Sequence, residues 1–204
     1  MIIPVIAFAA GYALGSIPFA FIVTKMFGLG DIRQVGSGNV GTTNVLRTGN
    51  RLAAALTLVG DVGKGVVAVL LAQQFGEWPA MAAALGAFAG HIFPVWLNFK
   101  GGKGVATYLG ILAALNLPVA LITAATWIVT ALVFRISSLS ALVAAALSPF
   151  YMWFLGPNAF AIGSAILAAL IFITHRENIS RLASGQEPKI GQKKEVGRET
   201  TSHQ

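Results

Sequence analysis

Three polar segments, set between long apolar runs, hold the residues of this chain that could do chemistry. The first, residues 36–47, reads GSGNVGTTNVLR. Gly36, Gly38 and Gly41 alternate with Ser37, Asn39, Thr42 and Asn44, and the run closes on Arg47. Small residues let a ligand approach main-chain N–H groups, the side chains add neutral donors, and the guanidinium supplies a two-pronged cationic clamp. That chemistry suits a phosphate or another oxyanion. Glycines in membrane proteins often serve helix packing instead. Here they sit among Ser, Asn and Thr rather than Leu and Val, which favours a ligand loop.

The second segment runs from Gly90-His91-Ile92-Phe93-Pro94 into Phe99-Lys100-Gly101-Gly102-Lys103-Gly104-Val105-Ala106-Thr107. Two lysines flank paired glycines where an apolar run begins. A helix starting there presents free N–H groups and a partial positive charge, a second place for an anion. Anchoring at lipid headgroups is the plainer use of both lysines, and Lys103, lying between glycines, is the better ligand. The string lacks the Lys-Ser/Thr ending of a nucleotide-binding phosphate loop, so it does not imply nucleotide hydrolysis.

The third segment, His175-Arg176-Glu177-Asn178, ends the last apolar run. His175 and Asn178 share a helical face, and histidine is the side chain most readily used as a base near neutral pH. A lone interfacial histidine otherwise serves as an anchor; Asn178 beside it tips the reading toward function. Ser137 and Ser138, after Arg135, are expected to cap a helix, with phosphate contact as a second role. Asp61 and Lys64 lie three apart inside an apolar run and can pair. Ionisable groups at membrane depth are costly and usually functional, so a neutralised structural pair and a substrate contact both stand.

The elements that must position these groups are membrane helices. The chain is 56% hydrophobic and 10% charged, with a mean hydropathy of +0.76, whereas a soluble domain is about 25% charged. Against the roughly 20 residues needed to cross a bilayer, spans are expected near 2–27, 52–75, 78–97, 105–116, 117–134, 139–155 and 158–174. The split at Asn116-Leu117-Pro118 follows from the proline. Seven spans place thirteen of the fourteen Lys and Arg residues on one side, and the fourteenth, Lys64, inside the second span. The positive-inside rule then puts the N-terminus outside and the C-terminus in the cytoplasm. Five spans would spoil that segregation. The expected fold is therefore an all-α, seven-helix membrane domain over residues 1–184, its polar loops converging on the cytoplasmic face. A polar tail, 185–204, is expected to be mobile. The first run lacks a basic leader and a clear cleavage site, so it reads as a retained span.

Composition removes several function classes. No cysteine is present, which excludes disulfides, thiolate metal sites and a cysteine nucleophile. The net charge of +7 is explained by basic residues at one membrane face, so no nucleic-acid partner is implied. There is no G-x-S-x-G nucleophile elbow. Neither His91 nor His175 has an aspartate five residues on, so the HxxxxD pattern of the common glycerolipid acyltransferases is missing. With only Asp31 and Asp61, a divalent metal held by aspartates is not expected, and no metal or cofactor is assigned.

GSGNVGTTNVLR, GHIFPVWLNFKGGKGVAT and HRENISRL, in that order among seven apolar runs, resemble the bacterial acyl-phosphate:glycerol-3-phosphate acyltransferase family, over residue 1 to about 185. The resemblance implies an enzyme of the bacterial inner membrane that moves a fatty acyl group from acyl phosphate to the sn-1 hydroxyl of glycerol 3-phosphate. The product is lysophosphatidate, with which phospholipid synthesis begins. It implies that Ser37 and Arg47 match positions important for activity, with Asn39, Thr42 and Asn44 as hydrogen-bonding neighbours. Gly101, Gly102, Lys103 and Gly104 match the glycerol-phosphate loop. His175 and Asn178 match functional positions and Glu177 a supporting one, and Asp61, Lys64 and His91 are counted as supporting residues. Its partners would be the two substrates, the lipid bilayer and the enzyme that makes acyl phosphate.

The residues suit that chemistry. An acyl phosphate is a mixed anhydride with phosphate as leaving group, so the task reduces to positioning two anions and stabilising an oxyanion. Two phosphates account for two basic, glycine-rich segments. His175 or a substrate phosphate oxygen takes the hydroxyl proton. A transporter of phosphorylated solutes is the alternative, motivated by Asp61 and Lys64, but its outward-facing site is missing from the nearly bare outer loops. A non-catalytic scaffold for lipid enzymes is a third reading, in which every motif position would tolerate alanine.

Overall fold

Helices form wherever the chain is apolar and stop where proline, glycine or asparagine interrupts it. The computed structural model describes residues 2–191, and every regular element among them is helical. The outer part of the expected tail, 192–204, lies outside the described residues. The first run, expected as one span, is two helices, α1 (Ile2–Gly15) and α2 (Phe19–Met26). Pro18 lacks an N–H and restrains Ile17, which opens the break. A short helix, α3 (Thr42–Leu46), lies inside the first polar segment. The next, α4 (Arg51–Gln73), is capped by Asn50, whose side-chain oxygen accepts from Ala53 N–H at 2.9 Å. Helix α5 (Glu77–Ile92) stops short of the expected 97, because Pro94 redirects the chain into a tight turn, Val95–Leu97.

Asn116 separates α6 (Val105–Leu115) from α7 (Leu117–Phe134) at the expected place. Its side-chain oxygen caps α7 through Val119 N–H at 3.1 Å, and its amide donates to Leu155 O at 2.8 Å. Helices α8 (Ser137–Leu155), α9 (Asn158–Thr174) and α10 (Arg176–Ala183) follow, the last two meeting at a 63° bend. Among the described residues, five stretches are long and apolar enough to cross a bilayer, and a sixth if α9 and α10 form one bent span. Helix α6, at 11 residues, rises only about 16 Å and is too short to cross alone.

Close packing depends on small residues. Gly11 and Gly15 of α1 lie on Ala83 and Ala87 of α5, and a Cβ at Gly15 would sit 2.1 Å from the Ala87 carbonyl oxygen. Such seams let membrane helices approach where no hydrophobic effect drives them together. The main core joins α5, α6, α8 and α9 through Phe88, Tyr108, Ile111, Leu112, Met152 and Leu167. Within it the Tyr108 hydroxyl is hydrogen-bonded to Ser148, at 2.7 Å, and to Ser164. Leu132, Phe134 and Phe154 are more than half exposed on the outside, a surface suited to lipid rather than water. This bundle brings the α2–α4 connection, the α5–α6 connection, the start of α8 and the α9–α10 bend to one end.

Candidate active site

Asn44 organises the first segment from within. It is 1% exposed, and its amide donates to Ile32 O at 3.0 Å and Val35 O at 2.9 Å. Its oxygen accepts from Ser37 N–H at 3.2 Å, Ser37 Oγ at 3.4 Å and Arg47 Nη1 at 3.5 Å. The sequence reading put Asn44 among the ligand donors. Its polar atoms are instead spent on the protein, and it shapes the loop that others present. Ser37 and Arg47 remain exposed at the surface, with Asn39 and Thr42 half-buried beside them. The Thr42 hydroxyl is buried without a partner among the described residues. Gly36 takes φ +56°, and a Cβ there would come within 2.6 Å of the Asn44 oxygen.

The lysine-glycine loop is set by what lies beneath it. Gly101 N–H donates to Ile92 O at 2.9 Å and Gly102 N–H to His91 O at 3.1 Å, which folds the loop back over the end of α5. A Cβ on Gly102 would meet His91 Nε2 at 2.2 Å and Val40 O at 2.6 Å, so only glycine fits between the second segment and the first. Asn98 and Phe99 adopt left-handed backbone conformations, φ 51° and 61°, an uncommon pair for residues with side chains. That turn leaves Phe93, Trp96, Phe99 and Lys100 exposed and carries Lys103 inward to a half-buried position. Gly104 precedes α6, so the loop stands at a helix start as expected.

Lys103 is where the segments meet. Its ammonium donates to the Asn178 side-chain oxygen, and its carbonyl accepts from Thr174 Oγ1 at 3.1 Å. Burial lowers the Lys103 pKa first, aided by the charges of Arg181 and Arg47, while Glu187 and Glu177 oppose. Thr43 and Ser137 hydroxyls lie 3.3 Å apart, joining the first segment to α8. The expected capping role of Ser137 and Ser138 does not hold: they lie inside the first turn of α8, after Ile136, and neither caps it. Ser138 Oγ donates instead to Glu187 at 2.7 Å.

His175 occupies the bend between α9 and α10 and is 3% exposed. Its Nδ1 lies 2.8 Å from Ile171 O, so the Nδ1–H tautomer donates there and leaves Nε2 as an acceptor. Burial pushes its pKa down to about 4, against the Ile171 carbonyl and with the help of Lys103. Glu177 is exposed in the first turn of α10. No hydrogen bond joins Ser37 to His175 among the described residues.

Asp61, Lys64 and His91 form a separate buried cluster under Gly102. Lys64 Nζ lies 2.8 Å from Asp61 Oδ1 and donates to Ile17 O at 3.0 Å, while His91 Nδ1 is 3.5 Å from the same carboxylate oxygen. The pair thus ties α4 to the α1–α2 break and to α5. Three further residues were not singled out in the sequence: Glu187, which contacts Ser138 and Asn178, Thr174, which contacts Lys103, and Arg181, which pairs with Glu187. Glu187 stands in a polar segment between Gly185 and Pro188, and nothing there separates it from a solvated tail.

A bundle of lipid-facing helices that gathers Arg47, Lys103, Ser37, Asn178 and His175 at one end defines an integral membrane protein with a cationic, hydrogen-bonding face there. The chain belongs to the glycerol-3-phosphate acyltransferase family, which it matches over residues 5–185. It is 61% identical to a glycerol-3-phosphate acyltransferase of Jannaschia sp. (strain CCS1), over 88% of this chain and 89% of that one. It is 58% identical to one of Brucella ovis, over 90% and 91%. Two crystal structures of PlsY (YgiH), an integral membrane glycerol 3-phosphate acyltransferase, are also similar. The glycerol 3-phosphate form has a TM-score of 0.87 at 36% identity, covering 92% of this chain and 96% of that one. The lysophosphatidic acid form has a TM-score of 0.84 at 33% identity, covering 91% and 94%.

Proposed function

We propose that this protein transfers a fatty acyl group from acyl phosphate to the sn-1 hydroxyl of glycerol 3-phosphate, releasing lysophosphatidate and phosphate. The observation that carries the reading is the convergence of two cationic groups, Arg47 and Lys103, on one face of a chain belonging to a glycerol-3-phosphate acyltransferase family. Lys103 and its glycine loop hold the glycerol phosphate. Arg47, with Ser37 and the free Thr42 hydroxyl, holds the phosphate of the donor, and Asn39 borders it. The hydroxyl oxygen attacks the acyl carbon, the carbon–oxygen bond to phosphate breaks, and the departing phosphate carries the negative charge.

The hydroxyl proton goes to a phosphate oxygen of the donor. A histidine held near pKa 4 is a poor base near neutral pH, so His175 acts as a neutral hydrogen-bonding group. The acyl chain lies along the apolar cleft among α6, α7, α8 and α9, lined by Tyr108, Thr123, Trp127, Ala141 and Ala144.

The same reading has seven spans, with the short α6 crossing together with the lysine-glycine loop that leads into it, the N-terminus outside and the working face in the cytoplasm of a bacterial inner membrane. The break at Asn116 and the gathering of Arg47, Lys103, Arg135 and Arg181 at one end support it. An enzyme that forms acyl phosphate supplies the donor.

The test is purified protein in detergent or lipid, given palmitoyl phosphate and glycerol 3-phosphate, with palmitoyl-CoA as the control donor. Lysophosphatidate and phosphate from the acyl phosphate alone are expected. Product from palmitoyl-CoA alone would overturn the donor assignment, and no product from folded protein would overturn the reaction.

A further inference from the structure

We propose that Glu187 is a positioning residue for the glycerol 3-phosphate half of this site, fixing the amide of Asn178 and through it the ammonium of Lys103. The inference rests on the acyltransferase reading above. After α10 the chain reverses at Gly185, φ +70°, and Gln186 N–H donates to Arg181 O at 2.7 Å. Ile190 N–H then donates to Arg135 O at 2.6 Å. The stretch between them is a strap from α10 to the α7–α8 corner, and it lowers Glu187 onto the site.

Both oxygens of that carboxylate are matched. One oxygen accepts from Ser138 Oγ at 2.7 Å and from Asn178 Nδ2 at 2.5 Å; the other accepts from Arg181 Nε at 2.7 Å. The side chain is 7% exposed. Burial alone would raise its pKa, but these three donors outweigh it and keep the carboxyl ionised below the usual range.

The consequence falls on Asn178. The two ends of a primary amide are nearly equal in size, and only their partners decide which way it faces. Glu187 is an acceptor and takes the NH2 end, so the oxygen is left facing Lys103. Without that acceptor the amide is free to turn its NH2 toward an ammonium it cannot accept from. The carboxylate's charge also offsets the repulsion that Arg181 exerts on Lys103.

Glu187→Ala and the isosteric Glu187→Gln, with the wild type beside them, decide the matter. Losing a hydrogen bond to a charged group should raise KM for glycerol 3-phosphate about tenfold in Glu187→Ala, with KM for palmitoyl phosphate unchanged, and several-fold in Glu187→Gln. A merely structural role would shift both KM values or only the melting temperature. Two readouts do not need turnover: the Kd of glycerol 3-phosphate by calorimetry, and the rate of tryptic cleavage after Lys189, expected to rise in Glu187→Ala. If wild-type protein were inactive with acyl phosphate, the donor reading would fail while these two still tested Glu187. Should Glu187→Ala not fold, Glu187→Gln carries the comparison. Unchanged KM and Kd in a folded variant would overturn the proposal. So would tighter glycerol 3-phosphate binding, which would make the carboxylate a competitor for the anion site.

Discussion

The ammonium of Lys103 and the side-chain oxygen of Asn178 share a hydrogen bond across 75 residues of sequence. Two segments that look independent along the chain are therefore one site. Its cation is held half-buried. The half-buried Lys103 and the exposed Lys100 differ by three positions and have different environments.

Arg47→Ala and Lys103→Ala should each lower kcat/KM about a hundredfold, the scale of a lost charge-assisted phosphate contact. The helical circular dichroism signal is expected to stay unchanged. Wild-type turnover by either folded variant would remove that residue from the site.

Asp61 and Lys64 distinguish structure from substrate contact. Asp61→Asn leaves a buried ammonium without its counter-charge, at a cost of about 3–5 kcal/mol. Adding Lys64→Met removes the stranded charge and should restore the melting temperature in detergent. Restored folding with restored activity identifies a structural pair; restored folding without activity identifies a substrate contact.

Gly102→Ala should destabilise by about 1–3 kcal/mol, because the new methyl group must displace the His91 ring or the Val40 carbonyl. Thermal unfolding measures it. Gly49, whose Cβ would meet nothing within 4 Å, is the comparison site for crowding, though its φ of +86° makes alanine there strained on its own account.

His175 gives the pH dependence a sign. Its folded pKa, about 4, lies below the unfolded value of about 6.5. The unfolded chain therefore binds a proton that the folded chain refuses. Stability should be full above pH 6.5 and fall as pH drops from 6.5 toward 4, by up to about 3 kcal/mol from this group. Melting curves from pH 7.5 to 4.5 should show that decline, and His175→Asn should flatten it. An equal decline in both proteins would reject the assignment.

Much of this was legible in the residues. Apolar length marked the helices, and Asn116-Leu117-Pro118 marked a break, because a side chain that caps and a ring without an N–H act locally. Pro18 acts just as locally, and the break it makes in the first run could have been read the same way. Asn44 and Glu187 could not. An asparagine in a loop looks the same whether its amide faces a ligand or Ile32 and Val35, and a glutamate after α10 looks solvated until Ser138, Asn178 and Arg181 surround it. Serines after Arg135 have the composition of a cap, and whether they cap depends on where the first helical turn begins, one residue earlier than their sequence suggests.

Phe93, Trp96 and Phe99 stand exposed along the approach to the lysine-glycine loop, and aromatic rings of this kind settle at the level of lipid headgroups. On the proposed reading, that places the lysine-glycine loop at the headgroup level. On that same reading the acyl-phosphate donor meets the enzyme within a sheet of lipid, and its effective concentration is a mole fraction. Such an enzyme obeys surface dilution: inert phospholipid added at constant bulk palmitoyl phosphate should slow it in proportion. A rate indifferent to added lipid would mean that the donor arrives through water.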